Sequence, residues 1–321
     1  MSSNFTIDDI LSGTTTGRMQ SVGQMQVIPI FGEEDDSFAP PEVEVNTTDY
    51  GTVNLRNDSD RPTIVPPGAG WVVKQAAQDH AIGSGALLKA GERKTINTAM
   101  CIQSSQGGYI TGDKHPMLIL PAALRGEALA KRKERSYSKL WGAIEEFNDQ
   151  LGADRGGHLE YFLKHFKREL DEFVAEFELE DGQIGAIVLI GGNVVGVERA
   201  PSVEFWSSLW EPLIRVCYGS LAIRYAQMTD KVPETRIPFN TKARTLKGLA
   251  KALEETRIRE DQMTEDTVRE VRGRQLKAAS GADQALGKAR LVTMASQTLA
   301  GQVVTSGKDK FAYASLCAAR V

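Results

Sequence analysis

Cysteine and histidine are scarce in this chain: 3 and 4 among 321 residues. Cys101, Cys217 and Cys317 stand far apart, so no CxxC pair exists to bind zinc or run dithiol exchange, and an odd, sparse set fits a reducing compartment. His158 and His165 are seven positions apart, about 10.5 Å of rise on a helix, too far to share an ion; no metal site and no cofactor is expected. Positive charge is not in excess either, with Lys+Arg 38 against Asp+Glu 42 and a net charge of -4. A field strong enough for nucleic acid or an acidic membrane is therefore excluded. No run of about 18 apolar residues occurs, which leaves no transmembrane helix. The N-terminus has neither a cationic nor an apolar segment, so no signal peptide is expected. These absences together predict a cytoplasmic protein.

The catalytic motifs are missing too. Neither GxSxG nor HExxH occurs. Gly107 to Lys114 approaches a phosphate loop, but Asp113 displaces the lysine and His115-Pro116 replaces the Ser/Thr and helix that the mechanism needs. Gly83-Ser-Gly85 lacks the third glycine of a dinucleotide fingerprint. The basic run Lys131 to Arg135 reads as a solvated helical face.

What is present is patterned apolar sequence, 41% of the chain. The clearest element is a hairpin running into a helix: β-branched runs Ile184–Ile190 and Val194–Val197 flank Gly191-Gly192-Asn193, and Pro201-Ser202 opens a helix carrying Phe205, Trp206, Leu209, Trp210, Leu213 and Val216. Residues 1–20, rich in Ser, Thr and Gly, read as a flexible arm, and 21–321 as a single α+β domain. Within it, 21–120 is β-rich, with short strands separated by turn clusters, an antiparallel sandwich or sheet. The part from 121 to 321 is helical with hairpins. One helix is expected over 127–151 and another over 158–178, the latter with Leu159, Phe162, Leu163, Phe166, Leu170, Phe173, Val174 and Phe177 on one stripe. That stripe packs either on the β layer or at a subunit interface. Pro233 and Pro238 mark a linker, 241–274 a charged surface helix or pair, and 301–316 a closing hairpin.

Four stretches carry a family resemblance: Asn57 to Pro62, Gln78-Asp79-His80 through Gly91, Cys101-Ile102-Gln103, and the hairpin-helix block 182–215. Together they resemble the ADP-ribosylglycohydrolase- and rhodanese-phosphatase-associated domain family, over nearly the whole chain from about residue 21. The resemblance implies an α+β fold and a link to ADP-ribose or NAD metabolism that rests on genomic association. Departures from it are as informative. Pro66-Pro67-Gly68-Ala69 stands where the family tends to place an acidic pair, His80 stands at an arginine position, and Gln103 at an acidic one. The loss of carboxylates removes candidates for acid-base work or metal ligation, so no catalytic residue is assigned.

Three functions follow. The first is a non-catalytic module for a nucleotide-like small molecule, with Gln78, Asp79, His80 and Gln103 as its polar lining and Trp71 stacking on a base. The second is a structural or assembly protein, for example a subunit of a viral particle, acting as a homo-oligomer or in a larger complex. The third is a divergent hydrolase, for which Asp79 with Asp113 is the only carboxylate pairing on offer.

Overall fold

The computed structural model describes residues 4–72, 79–104, 108, 110, 114–229, 243–279, 281–307 and 310–318. The architecture is α+β, and among the described residues its centre is an eleven-stranded antiparallel sheet. The expected hairpin lies in the middle of that sheet. Gln183–Ile190 pairs with Asn193–Arg199 across a two-residue turn, Gly191 and Gly192, with φ of 57° and 83°. Two consecutive positive φ values define a type I′ turn, which only glycine-like residues adopt cheaply; Asn193 already belongs to the second strand.

Strand Gln183–Ile190 is buried along its whole length because both sheet faces are covered. Ile187 and Leu189 enter one apolar cluster, with Ile7, Ile10 and Val271. Ala186, Val188 and Ile190 enter another, with Trp206, Leu209 and Leu213. Period-two geometry thus divides a continuous β-branched run between two cores. Outside the hairpin, Met25–Gly32 pairs with one strand and Phe311–Ala318 with the other, so the closing hairpin Leu299–Ser306/Phe311–Ala318 rejoins the central sheet.

Among the described residues the β-rich part forms three smaller antiparallel sheets, of two, three and four strands. The four-stranded one, built from Ala69–Trp71, His80–Ala81, Met100–Cys101 and Met117–Ile119, brings Trp71, His80 and Cys101 into adjacent registers.

Three sequence expectations are corrected. Residues 4–20, read within a flexible arm, are built into the sheet. Asn4–Thr6 pairs with Gln275–Ala278, Thr6 caps the short helix Ile7–Ile10 through a capping box, and Ile7, Ile10 and Leu11 are fully buried. The Ser/Thr content there supplies caps and edge pairs. The helix expected over 127–151 is two, Ala122–Ala130 and Trp141–Leu151. Between Leu129 and Leu140 no aliphatic residue recurs at helical spacing beyond Ala130, and the basic run Lys131–Arg135 forms the turn between them. The 158–178 helix breaks at Phe166, whose backbone (φ -101, ψ 21) leaves helical geometry between Leu159–His165 and Lys167–Glu176. Its apolar stripe packs chiefly in a helical cluster with Ile144, Phe147, Val216 and Ile223, with strand ends at its edge.

Ser202 caps the helix after the hairpin, its hydroxyl accepting the Phe205 N–H at 3.2 Å. This helix runs as Val203–Glu211, then a seven-residue π-helix Pro212–Tyr218, then Gly219–Met228. Pro212 has no N–H, and its ring crowds the carbonyl four residues back, which accounts for the widening at that point. Such widened turns recur at functional sites. Pro233 and Pro238 lie outside the described residues.

Candidate functional site

Three polar features stand out, and two of them involve this helix. The first contains the positions singled out in the sequence. Asp79, His80 and Gln103 do converge, but they are 1%, 0% and 5% exposed and form a packed knot. The backbone N–H of Gly51 donates to His80 Nε2 at 3.2 Å, and Cys101 Sγ lies 3.3 Å from the same nitrogen. A ring nitrogen that accepts carries no proton, so His80 is neutral. Burial pushes the Cys101 thiol up to about 12, opposed by the bond from Gly51, so it is no nucleophile at neutral pH. Gln103 bridges to His158 across an isolated antiparallel pair, and His158 Nε2 sits 3.1 Å from Ser104 Oγ. Asn148 Nδ2 locks this strand end, donating to the carbonyls of Gly156 and His158 at 3.0 and 2.9 Å. Gln78 and Asp113 lie outside the described residues. Trp71 is 1% exposed and packs in the core cluster, and it also lines the smaller cleft described below.

The knot yields one prediction. Burial holds the His158 imidazole below its ordinary range, with Glu160 pulling weakly the other way. In the unfolded chain it takes up a proton near pH 6.5. The unfolded state therefore binds more protons below that pH, and the contribution of neutral His158 is complete above it and lost as pH falls through it. Urea midpoints of the wild type should drop more between pH 7.5 and 5.5 than those of His158→Asn; equal pH slopes would refute this.

The second feature is a fully buried ionic cluster under the central sheet. Arg125 Nη1 donates to Glu198 Oε1 at 3.1 Å, Arg125 Nη2 to Ser315 Oγ at 2.6 Å, and Tyr218 Oη to Glu198 Oε1 at 2.6 Å. Burial weighs against the Arg125 charge, but the Glu198 carboxylate bonded to it outweighs that, and the guanidinium stays protonated. Gly196 makes room for this: a Cβ there would stand 2.1 Å from the Tyr218 hydroxyl. With both charged side chains at most 3% exposed, the cluster ties helix, sheet and π-helix together and offers no access to a ligand.

The third feature is open to solvent. A cleft of about 520 Å³ lies between the edge of the four-stranded sheet (Val72, Met117, Leu118) and the helices carrying Leu163, Lys164, Lys167, Arg215 and Val216. A smaller cleft of about 380 Å³, lined by Trp71, Lys114 and His115, adjoins it and shares Pro116, Met117 and Ser208. The π-helix sets Arg215 at the rim of the larger cleft and, two and three residues on, Cys217 and Tyr218 into the buried cluster. Arg215 is held by one bond, Nε to Asp171 Oδ1 at 2.7 Å; its Nη groups make no further bond among the described residues. The bonds from Lys167 and Arg215 hold the Asp171 carboxyl below the usual carboxylate range. Glu160 pairs with Lys164 at 2.8 Å. The sequence reading missed these residues because Val72, Met117, Lys164 and Arg215 share no local motif; the one local signal was a proline inside an amphipathic helix.

Among the described residues no group of three His, Cys, Asp or Glu side chains is placed to hold a metal ion, and no helix is long and apolar enough to cross a membrane. No curated protein and no solved structure matches the chain. One family model does, over residues 13–304, spanning the central hairpin, the π-helix, the first and third features and, of the second, Arg125, Glu198 and Tyr218, while Ser315 lies beyond its end. The chain belongs to the family of the ARG and Rhodanese-Phosphatase-superfamily-associated Protein domain.

Proposed function

We propose that the protein is a binding module for a phosphorylated, nucleotide-like small molecule, received in the larger cleft. The carrying observation is three cations, Lys164, Lys167 and Arg215, against two carboxylates, Glu160 and Glu211, in a cleft also lined by Val72, Met117, Leu163 and Val216. An apolar floor covers a flat organic body, and a guanidinium with free Nη groups matches the paired oxygens of a phosphate. The link to ADP-ribose and NAD metabolism that the family resemblance implies supports the same ligand class. On this reading Asp79, His80 and Gln103 act at a distance, holding the sheet whose edge forms one wall.

Isothermal calorimetry with ADP-ribose, NAD and AMP tests the reading. Saturable heat is expected with at least one of them, and Arg215→Ala should weaken it about tenfold, the equivalent of roughly 1.4 kcal/mol. Flat traces at millimolar ligand, with the fold intact by circular dichroism, would remove it. A role in a larger assembly is the second reading, and it is favoured by a bare leucine seam on the helix Leu246–Arg272.

A further inference from the structure

The long charged helix Leu246–Arg272 has one face and two fates. In its second half Thr264, Val268 and Val271 are buried, the two valines in the cluster that contains Ile7, Ile10 and Leu11. Eighteen residues make about five whole helical turns, so Leu246, Ala250 and Leu253 point the same way as Thr264, Val268 and Val271. In this first half the face is bare: Leu246, Leu249 and Leu253 are 86%, 37% and 54% exposed. One seam is covered by the chain's own first helix at one end and by none of the described residues at the other. Three leucines aligned at that spacing are an association surface when nothing covers them.

We infer that a second copy of this chain covers the seam, by antiparallel pairing of the two exposed half-helices about a twofold axis. The charges beside the leucines argue for a copy. Lys247 and Glu254 follow each other on one flank, seven residues and about two turns apart. Lys247 has no ion partner in its own chain among the described residues, and Glu254 only a loose one, Arg257 at 3.8 Å. Antiparallel pairing about a point between Leu249 and Lys251 sets Leu246 against Leu253 of the second copy. It also brings Lys247 within reach of that copy's Glu254, twice by symmetry. A parallel pair would set this flank against the opposite one, where Ala252 and Thr256 stand in the leucine stretch and offer no charge, Arg259 and Glu260 lying beyond it. The inference is independent of what the cleft binds.

Light scattering on the full chain, over a concentration series, tests it. The mass should rise from that of one chain, 35.1 kDa, to twice that value. A seam of about two turns is short, so a dissociation constant of about 10–100 µM is expected. Leu249→Lys with Leu253→Lys should leave a monomer with unchanged circular dichroism, since both side chains are already exposed. Lys247→Glu should weaken the dimer about tenfold, and adding Glu254→Lys should restore it. A wild-type mass of one chain at the highest concentration overturns the inference, as does a dimer that survives the double lysine variant. A charge swap that fails to restore association overturns the antiparallel pairing.

Discussion

Replacing Arg125 with alanine is expected to lower the unfolding free energy by about 3–5 kcal/mol, read as a shift in the urea midpoint. The magnitude follows from what would be left behind. Glu198 is 1% exposed and takes one bond from Arg125 Nη1 and one from Tyr218 Oη, both on Oε1. Without the guanidinium a carboxylate would remain in a region where burial already pushes its pKa up, and the Ser315 hydroxyl would lose its charged partner. Breaking one side of a buried pair strands the other, whereas replacing both with apolar groups of similar volume is often neutral. The control is therefore Arg125→Met with Glu198→Leu, which should recover most of the loss. A single Arg125→Ala variant as stable as the wild type would show that the cluster is no tie between helix and sheet.

Gly301→Ala should be at least as damaging, at about 3 kcal/mol or more, with loss of soluble folded protein a realistic result. Gly301 sits opposite Leu316 in the closing hairpin, and a Cβ on it would lie 1.9 Å from the carbonyl oxygen of Ser315. That obstacle is backbone, so no side-chain rotation relieves it. Separating the strands would in turn pull Ser315 from Arg125, coupling this position to the buried cluster. Gly91→Ala serves as the comparison: its φ is +68°, but nothing lies within 4 Å of the added carbon. It should cost only the ordinary left-handed penalty, about 1–2 kcal/mol. Similar losses for the two variants would rule out close strand approach as the cause at Gly301.

The legible parts of this protein are those where neighbours in sequence are neighbours in space. Gly191-Gly192 between β-branched runs marks a type I′ hairpin, and Ser202 before an apolar period marks a helix start. The errors fall where a local pattern is outvoted from outside. Ser/Thr-rich residues 4–20 resemble a loose arm, yet Arg272 reaches 2.9 Å to the Thr14 carbonyl from the other end of the chain and helps fasten it. The stripe from Leu159 to Phe177 has no proline or glycine to announce a break, but Phe166 turns inward against Phe162, with ring centroids 5.5 Å apart. The site residues divide the same way. Sequence proximity and the family resemblance brought Asp79, His80 and Gln103 forward, and the fold places them together but buries them.

Taken alone, the order of the amino acids determined the α+β class, the central hairpin with its helix, and the family, because apolar periodicity and turn chemistry act over a few residues. Only the tertiary structure decided that Arg125 meets Glu198 and that Arg215 meets a cleft walled by Val72 and Met117. It also decided that half of a helical seam finds no cover among the described residues. Burial rewards any apolar side chain of suitable size, so it can be read as a pattern. A polar partner depends on the register of segments a hundred residues apart, which no local pattern encodes.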